Sequence, residues 1–380
     1  MVNPYDPRTP AEPEEFGGRK VILQTVHEQI DSASALRRSG GILIQGFRGV
    51  GKSSLIRKLT SIVETEETAI SGGAFVASCR LAKTTSDSEL YKLITESLLE
   101  DISKKRSLAD KIVGLKDLIK SLGVPGGLTV GFNQAEHDKS PHQRWRDLLN
   151  QMNGSGLIFV AVDDADSLSP EAIGELKTIV EEQKEVPVLL TVAGSTELEQ
   201  RMIDQYSPVA RIFSGASFNI SSFDLEETRE VLNRPIRQMP DVKWTEEGIR
   251  AVQHYTKGYP FLVKCLANAS YRTGEPIDKK HVQSCLKSAL DIARPWLDNK
   301  LREASDQDVI SFYKIGRSNK LNFRSTDLNL LGVQAQYIGR LVKLKVLKAV
   351  SRGHYDLIEA PMIAYYHMLK RQLPMEEAEP

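Results

Sequence analysis

A glycine-rich turn is the first place where residue types and spacing suggest chemistry. The segment Gly46-Phe47-Arg48-Gly49-Val50-Gly51-Lys52-Ser53 fits G-x-x-x-x-G-K-[ST] at every fixed position, between an apolar run and an amphipathic stretch. A strand should therefore enter the turn and a helix should leave it. Glycines let backbone N–H groups converge on phosphate oxygens, and the helix start adds its positive end. The turn, together with Ser54, is predicted to bind a nucleoside triphosphate, with Lys52 on the β- and γ-phosphates and Ser53 as a magnesium ligand.

A pair of aspartates supplies the acidic half of such a site. Asp163 and Asp164 close the apolar run GLIFVAVDD. Asp163 would hold magnesium, mostly through water, and Asp164 would orient or activate the attacking water. Aspartate is one methylene shorter than the glutamate common in fast hydrolases, so we expect slow, switch-like turnover. A rate below about 1 per second would fit, against a typical value of about 10 per second.

A third polar position follows the next apolar run, VPVLLTVAGS. Ser195 is the predicted residue there, with Thr196 as the second choice, in contact with the γ-phosphate or the attacking water. A solvated strand end explains these residues equally well.

The elements that must position these residues form an alternating pattern. Four apolar-rich segments, GILIQG, GAFVASCRL, GLIFVAVDD and VPVLLTVAGS, are separated by helical stretches. This alternation is typical of an α/β fold with a doubly wound parallel sheet, here a P-loop NTPase. The segment Leu122–Phe132 suggests a turn and a short strand that fit no clear place in the pattern.

The second half of the chain reads as helical. From about Ser222 the strand patterns stop, and a small helical bundle is predicted with Asp224 and Thr245 as N-caps. Three further helices then precede a hairpin with Gly353 near its turn. Three helices and a hairpin are the outline of a winged helix.

Charge within that last part is uneven. Residues 301–372 hold twelve Lys or Arg and six Asp or Glu. In a winged helix the third helix enters the major groove and the hairpin touches the backbone. That geometry predicts contacts with double-stranded DNA from Gln334, Gln336, Tyr337 and Arg340 on the helix, and from Arg352 and His354 in the wing. The alternative is a protein-docking role, in which Lys343 and Lys345 are only the solvated face of LVKLKVL.

Composition excludes several classes of protein. The 380 residues are 41% apolar, and 50 Lys or Arg balance 50 Asp or Glu, so no global charge favours nucleic acid or a membrane. No membrane span or signal peptide is evident, and we expect a cytoplasmic protein. Three dispersed cysteines, Cys79, Cys265 and Cys285, are expected to be reduced core thiols. A metal hydrolase or a dehydrogenase has no support, because no His/Cys cluster and no strand followed by G-x-G-x-x-G occurs.

With three motif-bearing strand ends in order, the chain resembles the AAA+ and STAND branch of P-loop ATPases, closest to archaeal-type ATPases and origin-recognition-like proteins. FGGRK resembles the family box that encloses adenine, which implies roles for Gly18 and Arg19. KGYPFLV resembles the Gly-x-Pro motif of the helical lid, whose proline, here Pro260, packs near the base. LVKLKVLKAVSRGHYDLIEAPMIAYY is similar to the winged-helix end of archaeal ATPases. The resemblance covers roughly residues 16–370.

The resemblance also implies an arginine that completes a neighbouring subunit's site. Arg211 in SPVARIF fits that position best and Arg201 second, while a plain helix-surface arginine is the alternative. Two departures stand out. The acidic pair is Asp-Asp, as in many STAND proteins, and the lid offers only Lys264 where an arginine sensor is usual.

Five regions are therefore expected: a flexible arm (1–15), a P-loop ATPase core (16–221), a helical lid (222–295), a winged-helix domain (296–372) and a tail (373–380). The predicted function is ATP binding and slow, Mg²⁺-dependent hydrolysis, coupled to DNA binding and homo-oligomer assembly. The alternative is a STAND-type signalling switch, in which ADP locks the chain and the winged helix docks a partner protein.

Overall fold

The structure of the chain is a computed structural model that describes residues 3–66, 70, 72–105, 139–181, 186–318 and 320–375. The chain divides into two compact units. The sheet unit comprises Arg19–Ser221, and the helical unit comprises Met1–Gly18 together with Ser222–Pro380. The predicted turn and strand at 122–132 lie outside the described residues.

A five-stranded parallel sheet organises the sheet unit. Its strands are β1 (Gly40–Gln45), β2 (Ala74–Arg80), β3 (Leu157–Asp163), β4 (Val188–Gly194) and β5 (Ser217–Asn219), in the order β2-β3-β4-β1-β5. The first four are the predicted strands, whereas the short β5 was not predicted because it contains no apolar run. In the register, Arg80 pairs with Asp163 and Gln45 pairs with Gly194. The carboxyl ends of β1 to β4 therefore meet along one edge, where open α/β sheets bind ligands.

Helices cover this sheet on both faces. They are α1 (Lys20–Leu36), α2 (Lys52–Glu66), α3 (Asp87–Lys104), α4 (Pro141–Gln151), α5 (Pro170–Glu181) and α6 (Leu198–Arg211). Alternate strand residues, such as Leu43, Ile158 and Leu190, join α3–α6 in one hydrophobic core. Every residue of β3 and β4 is buried, as expected for strands covered on both sides.

The helical unit begins with five helices: α7 (Leu225–Asn233), α8 (Glu246–Thr256), α9 (Pro260–Ser270), α10 (Lys279–Ser284) and α11 (Leu286–Leu297). Both predicted N-caps are confirmed. The Asp224 side chain accepts from the Glu227 N–H in a capping box, and the Thr245 hydroxyl accepts from the Gly248 N–H.

Residues 306–357, here called the C-terminal module, combine three helices with a small antiparallel sheet. The elements are α12 (Asp306–Arg317), β6 (Asn322–Arg324), α13 (Ser325–Leu330), α14 (Ala335–Lys343), β7 (Leu347–Ser351) and β8 (His354–Leu357), followed by α15 (Pro361–Lys370). Strands β7 and β8 form the predicted hairpin, and Gly353 takes a φ of 75° at its turn. The module shares one hydrophobic core with α7–α11.

The expectation of a flexible arm over residues 1–15 is wrong for its described part. Tyr5 is only 1% exposed and packs edge-on against Trp244 and Tyr271. Its hydroxyl donates to the Leu232 carbonyl and accepts from the Trp244 indole N–H. One buried aromatic side chain thus anchors a segment whose proline and glutamate content suggested disorder.

The described residues contain no helix that is both long and apolar enough to span a membrane.

Candidate nucleotide-binding site

The phosphate loop joins β1 to α2 in the conformation that its glycines allow. Gly49 and Gly51 have φ values of 90° and 96°, a region that side-chain-bearing residues rarely adopt. Val50 between them is 2% exposed and anchors the loop. Helix α2 starts at Lys52, so its first N–H groups lie where an anion would sit.

Lys52 lies over its own loop and faces carboxylates. Its Nζ donates to the carbonyl oxygens of Gly46 (2.8 Å) and Phe47 (3.3 Å). Burial lowers the pKa of Lys52 below its ordinary value, while the negative charges of Asp166, Asp163 and Asp164 act in the opposite direction. The lysine expected to contact phosphates is therefore close to the acidic end of β3.

The two predicted aspartates have different environments. Asp163 ends β3, is 6% exposed, and its Oδ1 accepts from the Asp164 N–H at 2.9 Å. Asp164 has a left-handed backbone with a φ of 56°. Its Oδ2 accepts from Arg80 Nε at 2.7 Å, and both side chains are substantially exposed (69% for Arg80, 41% for Asp164). Arg80, at the end of β2, was not singled out by the sequence.

Ser195 has a partner that sequence reasoning missed. Its N–H donates to Asp166 Oδ2 and its hydroxyl donates to Asp166 Oδ1, both at 2.7 Å. The Gly194 carbonyl, one residue earlier, accepts from the Gly46 N–H at 3.2 Å and so ties this strand end to the phosphate loop. The sequence signal for this partner is the third acid in VDDADS, two residues after Asp164.

The two candidate trans arginines on α6 differ clearly. Arg201 donates from Nη1 to the Asp166 carbonyl and from Nη2 to the Leu168 carbonyl, both at 3.0 Å. Arg211 ends α6 as an exposed residue and forms no ion pair within the described part of the chain. Arg201 is therefore bonded within its own chain, and Arg211 stays the predicted trans residue.

The residues proposed for the adenine are divided between the two units. Arg19, in the sheet unit, donates from Nη2 to the carbonyl oxygens of Val50 (3.4 Å) and Ser221, which places it beside the phosphate loop. Gly18, in the helical unit, donates its N–H to Glu230 Oε2 at 3.0 Å. Pro260 is the first residue of α9, where its missing N–H costs nothing.

The candidate magnesium ligands suit a Mg²⁺ ion that takes most of its ligands from phosphate and water and few from the protein. Ser53 lies in the first turn of α2, and Asp163 is one of three carboxylates whose charge reaches Lys52. Among the described residues, no group of three or more His, Cys, Asp or Glu forms a cage of its own. Mg²⁺ bound with a nucleotide needs only one or two protein oxygens, so this sparse set is suitable.

The C-terminal module presents a cluster of exposed cations. Two of its basic residues are paired, in Lys320–Asp327 and Arg340–Asp308. Of the exposed cations that have no ion pair within the described residues, four are neighbours, and we call them the basic cluster: Lys343, Lys345, Lys348 and Arg352. They follow one another from the end of α14 through β7 to the hairpin turn.

Predicted DNA contacts on α14 are more constrained. Arg340 donates from Nε (2.7 Å) and Nη2 (2.6 Å) to the two oxygens of Asp308, a residue that is 1% exposed. Desolvation alone would raise the pKa of Asp308, but hydrogen bonds from Arg340 and Ser305 lower it to about 2. Gln334 and Gln336 are exposed and bonded to each other at 3.1 Å, while Tyr337 is half-buried.

Comparison with known proteins agrees with this architecture. A family model described as an AAA domain matches residues 36–202. The Walker-type ATPase PABY2304 of Pyrococcus abyssi is 18% identical, with 95% of this chain and 99% of that chain covered and a TM-score of 0.51. The Aeropyrum pernix ORC2 protein, in ADPNP–ADP complexes, is 11% identical, with 94% and 95% covered and a TM-score of 0.57. At such identities the two structures show the fold alone. A search of curated protein sequences finds no match.

Proposed function

We propose that the chain is an AAA+ P-loop ATPase, because an AAA domain model matches residues 36–202, and that its nucleotide state controls binding to double-stranded DNA. The C-terminal module would be the DNA-binding element, with the element order of a winged helix. The basic cluster is the observation that carries this proposal, since four neighbouring unpaired cations suit a phosphate backbone.

In the ATPase step, the loop N–H groups and Lys52 hold the β- and γ-phosphates. Ser53 and Asp163 hold Mg²⁺, which neutralises charge on the phosphates when bound. Asp164 orients the attacking water, and Arg19 lies close enough to Val50 to border the nucleotide. Gly18 and Pro260 are proposed contacts of the adenine.

Turnover is proposed to be slow. The Arg80–Asp164 pair supports this, because a carboxylate that accepts from a guanidinium is less available to hold water. A steady-state rate well above about 1 per second at saturating ATP would contradict it.

Duplex binding is testable by fluorescence anisotropy across a salt series. Four phosphate contacts predict a slope of log K against log salt of about −3 to −4. Replacing the basic cluster by glutamine should remove most of that slope. A matched control replaces four other exposed lysines of the helical unit, Lys243, Lys279, Lys280 and Lys287, and should retain it.

Failure to bind duplex even at low salt would contradict the DNA proposal. It would favour the second candidate, a switch whose C-terminal module docks a partner protein. The exposed lysines of LVKLKVL would then be only a solvated face.

Assembly is proposed to use Arg211, which would reach the nucleotide of a neighbouring copy. Mixing Lys52→Ala with Arg211→Ala chains tests this, because each kind of chain supplies what the other lacks. Recovered ATPase activity in the mixture is the expected result, and an inactive mixture would contradict a trans role. The cytoplasmic location stays a prediction from the sequence.

A further inference from the structure

We infer that Asp166 is a positioning residue that makes Ser195 a hydrogen-bond acceptor toward the attacking water, and not a donor to the γ-phosphate. The inference deepens the proposed ATPase site and rests on it. It also decides between two contacts that the sequence left open for Ser195.

The geometry fixes the direction in which the Ser195 hydroxyl donates its proton. A carboxylate has only acceptors, so the short contact between Ser195 Oγ and Asp166 Oδ1 (2.7 Å) takes the one proton that the hydroxyl can donate. The second oxygen of Asp166 is occupied by the Ser195 N–H, also at 2.7 Å. Both the carboxylate plane and the direction of the hydroxyl are thereby fixed.

The turn that carries Asp166 is held from several sides. Arg201 reaches from α6 to the carbonyls of Asp166 and Leu168, both at 3.0 Å. The Ser169 N–H donates to the Thr85 carbonyl at 2.9 Å, which links the turn to the segment after β2. The backbone at Asp166 is therefore held in place beside the serine.

With its proton donated to Asp166, Ser195 Oγ can act only as a hydrogen-bond acceptor toward other groups. Its Oγ receives one long contact from the Glu197 N–H at 3.4 Å, so a lone pair is available toward the sheet edge. The γ-phosphate oxygens are acceptors themselves and gain nothing from another acceptor, whereas water can donate. Of the three carboxylates, Asp166 most strongly opposes the lowering of the Lys52 pKa by burial, so it lies near the same site.

Substituting Asp166→Asn reverses this arrangement without changing the size of the side chain. The Ser195 N–H still needs an acceptor, so the amide oxygen takes that place and the amide NH₂ turns to the serine Oγ. The serine hydroxyl is then free to donate to the γ-phosphate. Water loses its acceptor and the phosphate gains a donor.

The experiment combines single-turnover hydrolysis rates with affinities for ADP and for a non-hydrolysable ATP analogue. Ser195→Ala should lower the rate roughly 10-fold, the size of one lost hydrogen bond, and leave the analogue-to-ADP affinity ratio within about 2-fold of the unmodified chain. Asp166→Asn should lower the rate similarly but raise that ratio at least about 3-fold. The double variant should be no slower than Ser195→Ala, because Asp166 acts through the serine.

The matched control is Asp204→Asn, which makes the same change at an exposed α6 residue bonded to Gln200, and it should alter nothing. A 10-fold or greater loss of the affinity ratio in Ser195→Ala would overturn the inference, since the serine would then donate to the γ-phosphate. An Asp166→Asn chain with the rate and ratio of the unmodified protein would overturn it as well. If Lys52→Ala still bound ATP normally, the proposed site itself would be wrong, which is a separate result.

Discussion

The Arg80–Asp164 pair provides a quantitative prediction about turnover. Exposed ion pairs are worth about 0.2–1 kcal/mol, and this pair is 69% and 41% exposed, so that range applies. The pairing constant is then about 1.4–5.4, which leaves Asp164 free for water in about 15–40% of molecules. Arg80→Gln removes the competitor, so kcat should rise about 2- to 6-fold while ATP affinity stays unchanged.

The assay is steady-state phosphate release at saturating ATP, supported by single-turnover rates that exclude product release as the slow step. Lys83→Gln removes an exposed cation from the turn after β2 and serves as the control. A kcat for Arg80→Gln at or below that of the control would refute the reasoning. It would show that Arg80 assists the reaction or that Asp164 does not hold the water.

Three further predictions concern the helical unit. Burial lowers the pKa of Lys257 to about 8. Above that pH the unfolded chain binds more protons than the folded chain, so the free energy of unfolding should rise from pH 8 to pH 9.5. Lys257→Met should reduce that rise by roughly 1 kcal/mol in chemical denaturation. Asp308→Asn should lower the free energy of unfolding by about 2–3 kcal/mol, because it leaves Arg340 without its buried partner. Tyr5→Ala should lower it by about 3 kcal/mol through lost packing, measured in the same way.

Controls and contrary results are specific to each case. The pH effect must be taken as the difference between the unmodified chain and Lys257→Met, since unfolded cysteines and tyrosines also titrate; parallel pH curves would contradict it. Arg8→Ala, at a side chain 86% exposed, is the control for Tyr5 and should stay within about 0.5 kcal/mol. An Asp308→Asn chain as stable as the unmodified protein would mean that water replaces the buried pair.

Much of the sheet unit is predictable because its signals are local. The phosphate loop has fixed glycine and lysine spacing, and strands covered on both faces appear as continuous apolar runs. Strand β5 is not predictable from the sequence, because its three residues are exposed, half-buried and exposed and so form no apolar run. The burial of Tyr5 is not predictable for a related reason, since a single aromatic residue among prolines gives no hydrophobic periodicity.

The side-chain partnerships were not predictable, because they join residues far apart in sequence. Arg80 meets Asp164 only because β2 and β3 pair in register, and Asp166 meets Ser195 only because β3 lies beside β4. Arg340 could be placed on an exposed helix face by its spacing. The two hydrogen bonds from its guanidinium to Asp308 depend on how α12 and α14 pack, which a single sequence does not reveal.

The most direct test of nucleotide-controlled DNA binding compares duplex affinity with a non-hydrolysable ATP analogue and with ADP. It uses the unmodified chain, Lys52→Ala, and Lys58→Ala as a control on the same helix. We predict that the unmodified and Lys58→Ala chains bind duplex with affinities that differ at least 3-fold between the two nucleotides, and that Lys52→Ala binds equally with both. A Lys52→Ala chain that still distinguishes the nucleotides, or an unmodified chain that does not, would contradict the proposal.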